Sequence, residues 1–280
     1  MLLAKNEAEL KKIANKLRID VIEMTSAAGS GHPGGSLSSA DLMAVLYFSV
    51  MEHRPDEPDW DGRDRFVLSK GHVAPILYAS LAESGYFPVE ELLTLRKLNS
   101  RLQGHPVRGK LPGVEMSTGS LGQGLSMASG MAMAAKIDDK KHHVYCLLGD
   151  GELQSGMNWE AAMFAAHYGL DNLVAFVDRN SLQISGCTED VVSIEPLADK
   201  WRAFGWRVKT INGHNIKQIL AACAWAKKAK DKPSVIILNT IKGSGVSFME
   251  NNADFHGKSC NPEETECAER ELEEAMVKCR

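Results

Sequence analysis

Two short segments of this chain place oxygen ligands at a matched interval. Gly149-Asp150-Gly151 and Asp178-Arg179-Asn180 each close a run of apolar residues, and thirty positions separate Asp150 from Asn180. That interval is one strand–helix–strand repeat, so both side chains can project into the same crevice beyond the strand ends. A carboxylate, an amide oxygen and a backbone carbonyl make a hard-oxygen half-shell for Mg²⁺, with Ca²⁺ as a possible substitute. A half-filled shell leaves positions for phosphate oxygens and water. Glycines on both sides of Asp150 let a phosphate approach the backbone closely. The chemistry indicated is a diphosphate bridged through a divalent cation. Gly-Asp-Gly alone also describes a tight turn after a strand; the spacing to Asn180 carries the metal reading.

Histidines form the second constellation. Of nine, His32, His72, His105 and His256 sit beside glycine in breaks between elements. A single loop histidine is ordinarily a surface residue, but four in similar settings point to imidazoles around one pocket, donating to phosphate and moving protons near pH 7. His53, His142, His143 and His167 lack that setting and read as structural or surface residues, as does His214 although Gly213 precedes it. Two tempting glycine patterns fail on context. Gly29-Ser-Gly31-His-Pro-Gly34 follows a helical pattern instead of a strand, which excludes a dinucleotide fingerprint. Gly104-His-Pro-Val-Arg-Gly109-Lys110 has Leu111 where a phosphate loop needs a hydroxyl, and no strand precedes it.

The elements that must position these residues follow from periodicity. Leu10, Ile13, Leu17, Val21 and Met24 recur at helical spacing and end at the glycine-rich break 29–35. A second helix is expected over 39–51, capped by Ser38 or Ser39. Residues 65–69 read as a strand leading into Lys70-Gly71-His72. Further strands are expected at 144–148, 173–177, 206–211 and 234–240, with helices at 158–168, 196–204 and 215–230 between them. Strands alternating with helices predict an α/β fold with a mostly parallel sheet flanked by helices, and ligands beyond the carboxyl ends of the strands. Residues 118–136 read as a helix of small residues and methionine. Its glycines weaken it by about 1 kcal/mol each unless close backbone packing or a partner offsets the loss. Residues 1–262 form the expected domain, and 263–280 an acidic helical tail, solvated or frayed.

Composition narrows the class further. The 280 residues carry 32 Lys+Arg and 36 Asp+Glu, a net charge of −4, with 44% hydrophobic residues. This balance gives no electrostatic reason to expect nucleic acid or an anionic membrane surface. The apolar stretch 42–51 is about half of the ~20 residues a membrane helix needs, and residues 2–4 are too short for a signal-peptide core. Six cysteines without a Cys-x-x-Cys pair or zinc spacing suit free thiols in a cytoplasmic protein.

Taken in order, the motifs Ser30-Gly-His-Pro-Gly34, Ser69-Lys-Gly-His72, Gln103-Gly-His-Pro106, Thr118-Gly-Ser-Leu-Gly-Gln-Gly124, Gly149-Asp-Gly-Glu152 and Phe255-His-Gly-Lys258 resemble the diphosphate-binding domain of transketolase. The match covers about residues 5–262. The resemblance implies a thiamine-diphosphate-binding fold and ketol transfer between sugar phosphates. It implies Mg²⁺ on the side chains of Asp150 and Asn180 and the carbonyl of Leu182. Gly151, Asn180, His72, Lys242 and His256 would contact the cofactor, and Gly119, Ser120 and Leu121 would face its pyrimidine ring. His32, His105 and His256 would line the substrate channel, and Glu160 would sit at an interface between cofactor sites.

The sequence also departs from the family pattern. Ser155 stands where many relatives have glutamate, Arg179 where an asparagine is commoner, and Gly35 where some carry a serine. Transketolases have two further domains, one supplying the glutamate that protonates the aminopyrimidine. The resemblance therefore implies the N-terminal subunit of a two-subunit enzyme, completed by a separate C-terminal chain in an α₂β₂ assembly. Two alternatives are an α-subunit of a 2-oxoacid dehydrogenase or decarboxylase and a non-catalytic thiamine-diphosphate-binding subunit. The early Gly-His motifs weigh against both.

Overall fold

The computed structural model describes residues 5–278; the Leu2–Ala4 run and Cys279 lie outside them. Asn6 opens α1 (Glu7–Ala28) with a reciprocal capping box to Glu9, and Gly29 closes it at φ 60°, a left-handed position that suits glycine. Next come α2 (Pro33–Ser38) and α3 (Ala40–Val45), which continues into a wider turn, Leu46–Val50. Strand β1 (Arg65–Leu68) leads to α4 (Ala74–Glu83), then α5 (Gly124–Ile137), β2 (Val144–Gly149), α6 (Gly156–His167) and β3 (Leu173–Arg179). A small hairpin, β4 (Leu182–Gln183) and β5 (Gly186–Cys187), precedes α7 (Thr188–Val192) and α8 (Leu197–Ala203). Strand β6 (Arg207–Asn212), α9 (Ile216–Ala226), β7 (Ser234–Asn239) and α10 (Pro262–Lys278) complete the chain.

The five long strands form one parallel sheet in the order β1-β2-β3-β7-β6. The central strands are buried on both faces, which is why they read as continuous apolar runs. Alternate residues feed two cores. Tyr145, Leu147 and Phe176 pack under α1, α3, α4 and α9, while Val144, Cys146 and Val177 pack under α5, α6 and α8. Strand β6 is one of the two edges and shows it: Arg207 and Lys209 project over Trp225, at 4.2 and 5.0 Å from its ring. Because the sheet is parallel, β1, β2, β3 and β7 all deliver their carboxyl ends to one rim.

Several local expectations change. Ser39 stands at the N-cap position of α3 as expected, but its side chain makes no capping bond; the Ser38 and Ser39 hydroxyls both turn back to the Gly35 carbonyl. The glycine-rich break is itself helical from Pro33, where proline is tolerated because the first N–H needs no helical partner. The helix expected from 118 begins at Gly124, and residues 118–123 are loop. The acidic tail is not frayed over its described part: α10 lies along α1 and buries Ala268 and Leu272. Helix α4 is nearly all buried and apolar, so it offers no amphipathic pattern to read.

Candidate active site

The rim where those strand ends converge encloses a cavity of about 440 Å³. Three imidazoles form a triangle on one side, with ring centroids 5.2 Å apart for His32–His72, 5.3 Å for His72–His256 and 5.5 Å for His32–His256. Each arrives on a different segment: His32 at the start of α2, His72 just past β1, and His256 in the turn before α10. Gly34 permits this convergence, since a Cβ there would stand 2.9 Å from the Phe255 carbonyl and 3.2 Å from Lys242 Cγ.

Asp150 and Asn180 face the cavity from neighbouring strand ends, as their spacing predicts. Asp150 Oδ1 accepts from Gly151 N at 2.8 Å, and Oδ2 from Ser181 N at 2.6 Å and Arg179 Nη1 at 3.3 Å. Asn180 Oδ1 accepts from Leu182 N at 3.1 Å. The Leu182 carbonyl accepts from Lys242 Nζ at 3.1 Å, so a cation already rests on the third expected ligand oxygen. Lys242 Nζ also lies 2.9 Å from His256 Nδ1.

The electrostatics of the cavity pull in opposite directions at its two ends. Burial and then the neighbouring Asp178 push the Asp150 carboxyl above its usual range. Burial and then Lys70 pull Lys242 down to about 8. Burial, reinforced by surrounding cations, depresses His72 to about 2, His256 to about 3 and His32 to about 4. His32 Nδ1 is buried with no hydrogen-bond partner. A divalent cation at Asp150 relieves the first strain, and an anion among the imidazoles and Lys242 relieves the others. A metal-bridged diphosphate does both, so the donor set fits that group.

The remaining expected site residues fall at the margin. Gly119 and Leu121 line the cavity, whereas Ser120 is exposed and does not. His105 is exposed at the rim, where a Cβ on Gly119 would meet its Cδ2 at 3.0 Å. Glu160 does not reach the cavity; it is exposed on α6 among Met157, Met163, Phe164 and Tyr168, each at least 40% exposed. Sequence reasoning gave no role to Lys70, Glu152, Gln154 or the hairpin residues Gln183 and Ile184, all of which line the cavity. Glu152 ties two walls together, accepting from Ser69 Oγ at 2.5 Å, Gly122 N at 2.9 Å and Gly149 N at 3.0 Å. Its place in Gly149-Asp-Gly-Glu152, one turn after a strand end, was the available signal.

A parallel α/β sheet whose strand ends meet a carboxylate on one side and a lysine–imidazole cluster on the other defines a diphosphate-binding domain. Residues 9–274 match the family model for the transketolase thiamine diphosphate binding domain, and the chain belongs to that family. It is 47% identical over 271 residues to the 6-deoxy-6-sulfo-D-fructose transketolase subunit SqwG of a Clostridium species, covering 97% of this chain and 98% of that one. It is 43% identical over 272 residues to an apulose-4-phosphate transketolase subunit from Actinobacillus succinogenes, covering 97% and 98%. Human transketolase is 47% identical over 250 residues, but the match spans 89% of this chain and 40% of the human protein. Among solved structures, transketolase from Campylobacter jejuni superposes with a TM-score of 0.91 at 35% identity, covering 99% of this chain and 46% of that one.

Proposed function

We propose that this chain is the N-terminal, cofactor-binding subunit of a two-subunit transketolase. It acts in moving a two-carbon ketol unit from a ketose phosphate to an aldose phosphate with thiamine diphosphate and Mg²⁺. The observation that carries this reading is the divided cavity, with a raised carboxyl at one end and depressed lysine and imidazole groups at the other. Asp150, Asn180 and the Leu182 carbonyl would hold Mg²⁺, and Lys242, His72, His256 and Gly151 the diphosphate. When bound, thiamine diphosphate supplies the nucleophilic carbon and electron sink that cleavage next to a ketose carbonyl requires.

The chain's own residues supply the rest. Lys242, which donates to the Leu182 carbonyl here, would hold the diphosphate once that oxygen serves as a metal ligand. His32, which lines the cavity, would orient a substrate hydroxyl from the imidazole triangle, and His105 would cover the mouth of the site from the rim. Gly119 and Leu121 present backbone to the pyrimidine side. The donor class is an anionic ketose, a reading supported by the two end-to-end relatives, whose names specify a sulfo-ketose and a ketose phosphate.

A partner chain belongs to this reading. Full-length transketolases extend well beyond the matched region, and the relatives matched end to end are named as subunits. The apolar stripe on α6 around Glu160 supports an interface there and, with it, an α₂β₂ assembly. Calorimetry tests the cofactor assignment. Asp150→Ala should weaken Mg²⁺-dependent thiamine diphosphate binding at least 100-fold, equivalent to about 2.8 kcal/mol. Unchanged affinity would reject it.

A further inference from the structure

The Asp178 carboxylate is fully buried behind the cavity and gathers four donors. Oδ2 accepts from Lys70 Nζ at 2.6 Å, Ser38 Oγ at 2.7 Å and Asn180 Nδ2 at 2.8 Å, and Oδ1 accepts from Thr240 Oγ1 at 2.5 Å. These donors come from α2, from the ends of β1 and β3, and from the residue after β7. Lys70 has no donor left over, because Nζ also reaches Ser39 Oγ at 2.8 Å and the Gly35 carbonyl at 3.2 Å.

This network has a directional consequence one residue beyond β3. A carboxylate paired with a lysine has only lone pairs to offer, so the end of the Asn180 amide that faces it must be the NH₂ group. The amide is planar, and its oxygen is therefore turned the other way, where Leu182 N donates to it at 3.1 Å. An asparagine without such a neighbour is free to present either end. The oxygen is the end a hard cation needs, and the NH₂ group cannot ligate it.

We propose that the buried Lys70–Asp178 pair is a positioning device that locks the Asn180 amide with its oxygen toward the Mg²⁺ site. Asp178 acts through Asn180 and does not itself touch the metal. The inference rests on the metal reading given under the proposed function. An apolar pair of similar volume would hold the fold as well, since buried ion pairs are often replaceable without loss of stability. It would not choose which end of the amide faces outward.

Variants of the full chain separate this role from its rivals, with Mg²⁺ titrated calorimetrically in the presence of thiamine diphosphate. Lys70→Met combined with Asp178→Leu removes both charges; a merely structural pair predicts unchanged Mg²⁺ affinity in a folded protein, and the lock predicts a loss of about 10–100-fold, as is typical when the support of a metal ligand is lost. Adding Asn180→Asp to that double variant gives a side chain with oxygen at both ends, which needs no lock, so Mg²⁺ affinity should recover. Wild-type affinity in the folded double variant, or no recovery in the triple variant, would overturn the proposal. If the double variant does not fold, the near-isosteric Asp178→Asn, whose amide can meet Asn180 with either end, decides in its place: the lock predicts a loss of Mg²⁺ affinity there too, and wild-type affinity would overturn it. A wild-type chain with no Mg²⁺-dependent binding would instead contradict the metal reading, before any variant is compared.

Discussion

Lys242 is the residue whose charge the proposed diphosphate site would depend on most directly. Its ammonium is pulled down to about 8 from a usual value near 10.5, first by burial and then by Lys70. A depressed lysine is held back from protonation in the folded chain, so below pH 8 its charge costs stability, and that cost is relieved as pH rises from about 8 to 10.5. Anion binding runs the other way, because the diphosphate needs the charged form. Thiamine diphosphate affinity should therefore fall as pH rises through 8, and Lys242→Gln should bind weakly with that step gone; calorimetry between pH 7 and 9.5 reads both. On the proposed reading the histidines would divide the labour. His72 lies at a strand end inside the imidazole triangle, so His72→Ala should raise the cofactor requirement first. His105 stands at the rim against Gly119, so His105→Ala should leave cofactor affinity nearly intact and slow single-turnover donor cleavage by about 10²–10⁴-fold. Cofactor binding lost and cleavage normal in His105→Ala would reverse the assignment. Much of this was legible in the chain itself, because Asp150 and Asn180 follow apolar runs and His32, His72 and His256 adjoin glycines. Lys70, Asp178 and Glu152 were not, since what they do depends on partners up to 140 residues away.

Elements are where glycine matters most, and α5 shows two opposite uses. Gly124 opens the helix against the end of β1, and a Cβ there would overlap Ser69, lying 2.6 Å from its Cα. Gly124→Ala should cost about 1–3 kcal/mol through overpacking, and it should also disturb the neighbouring 118–123 loop. Gly130, in the same helix, has nothing within 4 Å of its added Cβ. Gly130→Ala should therefore stabilise the isolated chain by up to about 1 kcal/mol through helix propensity. Urea unfolding of the two variants should move in opposite directions; loss of stability in both would mean that α5 packs differently. The strands were readable because central parallel strands are apolar throughout, and α1 because one face is buried and the other wet. Helix α4 went unread and the 118–123 loop was misjudged for the converse reason. A wholly buried helix loses its periodicity, and a glycine-rich loop made of helix-compatible small residues resembles the helix it precedes.

At the scale of the whole molecule, the fold presents a cavity along one rim and, on α6 and the residue that closes it, exposed Met157, Met163, Phe164 and Tyr168 beside Glu160. Exposed apolar side chains grouped in this way suit a protein contact. In the proposed assembly it meets another chain, and the pyrimidine end of the cofactor is covered by the partner. Replacing Phe164 with glutamate should leave the isolated chain folded and lower its association with the partner, read by sedimentation; unchanged association would move the interface elsewhere. On the same reading the partner would also supply the carboxyl group that protonates the ring, which Gly119 and Leu121 would face with backbone alone. The most direct test is ketol transfer from a ketose phosphate to an aldose phosphate, measured with the purified chain alone and after co-expression with the chain bearing the pyrimidine-binding domain. The account predicts no turnover alone and activity dependent on thiamine diphosphate and Mg²⁺ once the partner is present. Robust turnover by the isolated chain, or a reconstituted complex that consumes 2-oxoacids and not ketose phosphates, would contradict it.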